Sequence, residues 1–123
     1  MDRRDFNKEV VLGLFRAALR GDVPTALRPV ADDYVEHSAL IAPGKAGLAE
    51  FLRALAAAEP PPAIEVRHAL ADGDHVAVHY ESTAAADGSG SEAVDIFRLR
   101  DGRIVEHWDV VQPRPARRDE REG

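Results

Sequence analysis

Three residues near the end of the chain have side chains that can move protons, and each interrupts an apolar strand-like run. Asp95 lies between Val94 and Ile96, and His107 and Asp109 bracket Trp108 in a run that ends Val110-Val111. Farther upstream His79 breaks the run Val76, Ala77, Val78, Tyr80, and His37 follows Tyr34-Val35-Glu36. Burial raises an aspartate pKa and lowers that of a histidine, while a nearby opposite charge does the reverse. A buried carboxylate–imidazole cluster can therefore hold a proton poised near neutral pH, as general acid–base chemistry requires. The catalytic candidates are Asp109, His107, His37 and His79. Tyr34, Phe51, Asp95, Phe97 and Gln112 are the ligand-binding candidates.

Competing readings are structural. Asp95 could be an exposed strand residue, and His107 with Asp109 a purely structural pair. His68 and His75 read as surface or turn residues, and Trp108 as core or subunit interface. The spacing His75-x-x-x-His79 would suit a metal on a helix, but on a strand it separates the side chains by roughly 13 Å. No metal and no cofactor is expected. A metal site would need His37, His79, His107 and Asp109 to converge without ligand-like local spacing.

The elements that must position these residues follow from periodicity. Asn7 to Arg20 has helical spacing, with Val11, Leu14, Phe15 and Ala18 on one face and Gly21 as the stop. Asp22 and Pro24 open a short second helix. Tyr34 to Ser38 reads as a short extended segment, and Ala46 to Glu59 as a third helix ended by Pro60-Pro61-Pro62. The period then changes to two. Ile64–Leu70, His75–Thr83, Ala93–Arg100 and Arg103–Val111 read as four strands, with the strongest hairpin signal at Asp101-Gly102. Ala84 to Ser91 reads as a Gly/Ser/Ala-rich loop. Helices followed by a meander imply an α+β fold: a cone-shaped barrel of three N-terminal helices on a curved antiparallel sheet of four strands plus a short first strand.

The hairpin register decides which residues share a wall. A strict two-residue turn pairs Asp95 with Trp108, whereas a bulge at Gly102 pairs Asp95 with His107. The second is preferred, because it sets Asp95, Phe97, His107 and Asp109 on one concave wall and Trp108 with Ile96 on its back.

A chain of 123 residues has room for one domain, expected over 1–115, with a frayed tail over 116–123. The absence of cysteine excludes disulfides and thiol catalysis, and a net charge of −6 makes a phosphate-backbone partner a poor fit, so no nucleic acid is expected. No membrane span and no signal peptide is evident, which reads as cytoplasmic. The expected partners are a small-molecule ligand or substrate, and a second copy of the chain packed through the outer sheet face, where Trp108, Ile96 and Val94 would be too apolar for a monomer.

The stretch AVDIFRLRDGRIVEHWDVVQPRP, Ala93 to Pro115, resembles the C-terminal hairpin of SnoaL-like proteins of the nuclear-transport-factor-2-like superfamily. More narrowly it is similar to a bacterial group described as SnoaL-like aldol-condensation-catalysing enzymes. GDHVAVH (Gly73–His79) and YVEH (Tyr34–His37) are similar to that group in place and order, and the resemblance covers about residues 5 to 115. It implies the same cone fold, in a superfamily that includes polyketide cyclases, isomerases, epoxide hydrolases, dehydratases and non-catalytic binders, so fold alone says little about reaction. By resemblance Asp109 matches the final-strand aspartate that acts as general base, His37 a polar residue that helps hold a reacting water, and His107 a pocket-wall aromatic. Asp95 and Phe97 match pocket-facing positions. The chain departs from the epoxide hydrolases, offering His79 and Glu81 where they use Arg and Asp, and Val35 where they use a tyrosine. It also has Glu36-His37-Ser38-Ala39 where the narrower group has Gln-His-Asn-Pro.

The reading preferred on these grounds is a cofactor-free acid–base enzyme that removes a proton α to a carbonyl in a polyketide-like ketone, for aldol-type cyclisation or isomerisation. The alternatives are hydrolysis or dehydration with His37 and Asp109 holding a water, and a non-catalytic small-molecule-binding dimer.

Overall fold

The computed structural model describes residues 2–83 and 90–114, and the order of its elements is α1 (Arg3–Leu19), α2 (Val23–Leu27), β1 (Val30–Glu36), α3 (Gly44–Ala57), β2 (Ile64–Asp72), β3 (His75–Ser82), β4 (Ser91–Arg100) and β5 (Arg103–Pro113). Residues 84–89 of the expected loop and the expected tail at 116–123 lie outside the described residues. Helix α1 begins a turn earlier than its apolar stripe suggests. Asp2 caps it, accepting the Asp5 amide at 2.9 Å, so a charged first turn is helical without contributing to the core. Asp22 caps α2 in the same way through the Thr25 amide at 3.2 Å. Helix α3 stops at Ala57, two residues short of the expected Glu59, and Ala58 is extended ahead of the proline run.

The five strands form one curved sheet in the order β1-β5-β4-β3-β2. Its edges, β1 and β2, do not pair with each other, so the expected barrel is an open cone. Strand β1 is longer than Tyr34–Ser38, starts at Val30 and runs parallel to β5, with Val35 opposite Glu106 and Glu36 opposite His107. Pro29 and the pair Asp32-Asp33 disguise this strand as a loop. Both aspartates serve as anchors, Asp33 to Arg100 at 3.0 Å and Asp32 to Lys45 at 3.4 Å.

The β4–β5 hairpin determines the site. Its turn is a strict two-residue one, with Arg100 opposite Arg103 and both Asp101 (φ 53°) and Gly102 (φ 76°) left-handed, as a type I′ turn requires. The bulge comes later, at Val105, between the pairs Leu99–Ile104 and Arg98–Glu106. It buries two consecutive residues, Ile104 and Val105, which a regular strand would point to opposite faces. Beyond it Asp95 is opposite Asp109, so neither expected register holds. The offset from the preferred register is two residues, and side chains alternate with period two. Asp95, Phe97, His107 and Asp109 therefore share the inner face, and Ile96 pairs with Trp108 on the outer one.

The core lies between the helices and the inner face. Val11, Leu14 and Phe15 of α1 and Leu48 and Leu52 of α3 pack on Val76, Val78, Phe97, Leu99 and Ile104. At the end near Leu99 and Ile104 it is closed. At the other end the helices and sheet diverge around a cavity.

Candidate acid–base pocket

The cavity has a volume of about 520 Å³, within the range of small-molecule sites. Its walls are mostly apolar. Phe15 packs edge-on against Tyr80 at 5.5 Å and Phe97 at 6.1 Å, and Phe51, Leu52 and Leu55 of α3 line the opposite side. The polar side chains gather mainly along the sheet: Tyr34, Tyr80, Asp95, His107 and Asp109.

His107 is the hub. Its ring is nearly fully buried, 4.7 Å from the Phe97 ring, with Nδ1 2.5 Å from Glu36 Oε2 and Nε2 3.5 Å from Asp95 Oδ1. Glu36, whose side chain has no solvent exposure, also accepts from the Tyr34 hydroxyl at 2.5 Å and from the Ser38 amide at 3.1 Å. Burial works against the Glu36 charge, but the His107 and Tyr34 hydrogen bonds outweigh it and hold the carboxyl below its usual range. Burial likewise works against a charged His107, yet the facing carboxyls of Asp95 and Glu36 prevail and push its pKa up to about 9.

Asp95 behaves oppositely. Burial raises its pKa despite His107, and Asp109 adds a like charge. Oδ1 is buried without a hydrogen-bond partner, since 3.5 Å from Nε2 is too long for a firm bond. The Tyr80 hydroxyl faces Asp95, and burial beside two carboxylates raises the Tyr80 and Tyr34 phenols. Asp109 is less buried and accepts from Ser38 Oγ at 2.9 Å. Asp95, His107 and Asp109 offer donor atoms all within 4.8 Å of one another, a grouping that could also hold a divalent ion. An imidazolium has no lone pair for a metal, so proton and ion would exclude each other at His107.

Six sequence candidates line the cavity: Tyr34, Phe51, Asp95, Phe97, His107 and Asp109. Three do not, and strand alternation is the reason. Tyr34 and Glu36 point inward, which turns His37 outward, where it stacks on Trp108 at 5.0 Å and meets Glu106 at 2.6 Å. Val78 and Tyr80 point inward, which turns His79 outward to His68 (Nδ1 to Nδ1, 2.9 Å) and Glu92 (2.8 Å). Gln112 follows the cavity-lining Val111 and donates to Glu92 at 3.1 Å on the outer face. A water held between His37 and Asp109 is excluded by this placement; Ser38 is the group bonded to Asp109. Sequence reasoning missed Glu36, Ser38 and Tyr80. The signal for Glu36 and Tyr80 was available: each is two residues from an inward-pointing neighbour.

The profile of the SnoaL-like domain matches residues 11–107, four-fifths of the chain and most of the elements just described. The chain belongs to the SnoaL-like family. Among solved structures, it is similar to AclR from Streptomyces galilaeus, proposed to be a hydroxylase, at 27% identity over 91% of this chain and 82% of that one, TM-score 0.75. A proposed SnoaL-like polyketide cyclase from Jannaschia sp. CCS1 shares 21% identity, covers 91% of each chain and has a TM-score of 0.74. An NTF2-like protein of unknown function from Mesorhizobium loti shares 21% identity over 91% and 95% of the two chains, TM-score 0.77. The last two likenesses concern the fold alone. A comparison with curated proteins gives no match. This SnoaL-like chain carries no helix, among the described residues, long and apolar enough to cross a membrane.

Proposed function

We propose that this SnoaL-like protein is a cofactor-free acid–base catalyst that acts on a small carbonyl-containing, polyketide-like substrate. Asp109 removes a proton from the carbon α to the carbonyl. The C–H electron pair moves into the enolate, and His107, with Asp95 and Tyr80 beside it, holds the oxygen that becomes negative. The enolate carbon then attacks a second carbonyl of the same molecule, closing a ring, or is reprotonated elsewhere, giving an isomer. The observation that carries this reading is the convergence of Asp95, His107 and Asp109 within 4.8 Å at one wall of an otherwise apolar cavity. Two carboxyls held in unlike environments are what an acid and a base in one site need. The polyketide-like substrate class is taken from the resemblance of the β4–β5 hairpin, and membership of the SnoaL-like family supports it.

The test is proton exchange. A panel of cyclic and β-dicarbonyl ketones in deuterated water should show enzyme-dependent α-deuteration by NMR, lost in Asp109→Asn. Ligand binding with no exchange, unchanged by Asp109→Asn, would favour a non-catalytic binder.

The working unit is proposed to be a homodimer joined through the outer sheet face. Val110 and Leu70 are 71% and 65% exposed there, beside Trp108, Ile96 and Val94. Contiguous apolar surface of this kind on a sheet face is uncommon in monomers.

A further inference from the structure

A carboxylate without solvent exposure needs a full set of donors to remain charged. Glu36 has three: the His107 ring at 2.5 Å, the Tyr34 hydroxyl at 2.5 Å and the Ser38 amide at 3.1 Å. All three contacts suit an anion. Glu36 is also opposite His107 in the β1–β5 ladder, so the backbone fixes the approach of the two side chains. The contact engages Nδ1, which leaves Nε2 as the ring nitrogen that faces Asp95 at the cavity.

We propose that Glu36 is the positioning residue of this site: it holds His107 as an imidazolium with Nε2–H turned to the cavity, so that a substrate oxygen gaining negative charge meets a fixed positive one. This rests on the acid–base reading of the pocket. The groups that face His107 among the described residues are Tyr34 and Glu36 from β1, Tyr80 from β3, Asp95 from β4 and Asp109 from β5, with Arg20 at the end of α1 also lining the cavity. Two of these carboxylates could in principle keep the ring charged. Glu36 is the stronger candidate on geometry, because its oxygen is 2.5 Å from the ring against 3.5 Å for Asp95. Burial moreover drives Asp95 toward its neutral form while Glu36 stays ionised. Glu36 does not touch the cavity, so it acts through His107 alone.

The experiment is an imidazole nitrogen titration by NMR in the full-length, nitrogen-15-labelled protein. In the wild type the His107 ring should remain an imidazolium to about pH 9. Glu36→Gln keeps the size and one acceptor but removes the charge, and should lower the His107 midpoint by at least one unit, a tenfold change in proton affinity. Unchanged backbone amide shifts away from β1 and β5 should accompany this, which reports an intact fold. An unchanged His107 midpoint would overturn the proposal and leave Glu36 a tie between strands. If Glu36→Gln does not fold, Glu36→Asp draws the carboxylate back by one methylene and should give a midpoint below that of the wild type; a wild-type midpoint there overturns the proposal equally. Where exchange activity is measured, Glu36→Gln should lower kcat at least about twofold at pH 8 with KM little changed, because a one-unit fall in the midpoint takes the protonated fraction there from about nine-tenths to about one-half, and activity should recover toward pH 6 as the ring protonates. A wild type with no exchange activity would refute the acid–base reading, yet the titration would still decide the role of Glu36.

Discussion

Asp95 and Asp109 are opposite one another on β4 and β5, and their surroundings divide the labour between them. Asp95 is buried, faces Tyr80 and has an oxygen without a partner, conditions that favour its neutral, proton-carrying form. Asp109 is closer to solvent and accepts a hydrogen bond from Ser38 Oγ. On the acid–base reading proposed above, the more reachable Asp109 is the base and Asp95 the acid. Replacement of Asp109 by asparagine keeps the shape and the Ser38 bond but removes the base. Exchange of a bound ketone should fall on the order of 10²–10⁴-fold, with ligand affinity much less affected. NMR deuteration rates set beside binding isotherms would separate the two effects.

At the scale of elements, the β4–β5 hairpin brings both carboxyls and His107 to one wall, and its register depends on the Asp101-Gly102 turn. Gly102 has φ 76°, and a side chain there would also bring its Cβ to 2.8 Å from the Phe6 ring. Phe6 is half-exposed and can move, so the backbone strain dominates. Gly102→Ala should cost about 1 kcal/mol of stability, seen as a lower midpoint in urea unfolding. This turn, the helices and four of the strands were legible in the sequence, because periodicity and turn chemistry are local. The inward set Asp95, Phe97, His107 and Asp109 was legible for the same reason. The bulge at Val105 was not, since it arises from packing Ile104 and Val105 together into the core. Nor was β1 from Val30, whose pairing with β5 is long-range and whose Asp32-Asp33 mimics a loop. His37 and His79 illustrate the limit of residue type as a guide: both suit the chemistry, and strand alternation turns both away from the cavity.

For the molecule as a whole, the buried His107, set between Asp95 and Glu36, ties stability to pH. The His107 pKa is raised on folding from 6.5 to about 9. Its stabilising contribution is fully present below pH 6.5 and is lost as pH rises through 9. A shift of this size corresponds to stabilisation on the order of 3 kcal/mol. Glu36 has the opposite sign: its depressed pKa adds stability above the ordinary glutamate range that is lost in acid. Urea midpoints should therefore decline between pH 7 and 10, and His107→Gln should flatten that decline. The outer face makes a separate prediction. Val110 is exposed on the outer face and does not line the cavity, which its neighbours Asp109 and Val111 do. Val110→Lys should convert a dimer to a monomer in sedimentation at micromolar concentration without altering exchange at the site. A wild type that sediments as a monomer would remove the proposed dimer.

The most direct test of the central claim is the pH profile of α-deuteration in a bound ketone, wild type against Asp109→Asn. Asp109 as base beside a charged His107 predicts a plateau around neutral pH that falls above about 9 as the imidazolium is lost, and no plateau at all in the variant. Exchange that persists in Asp109→Asn, or that climbs steadily through pH 10 in the wild type, would contradict it.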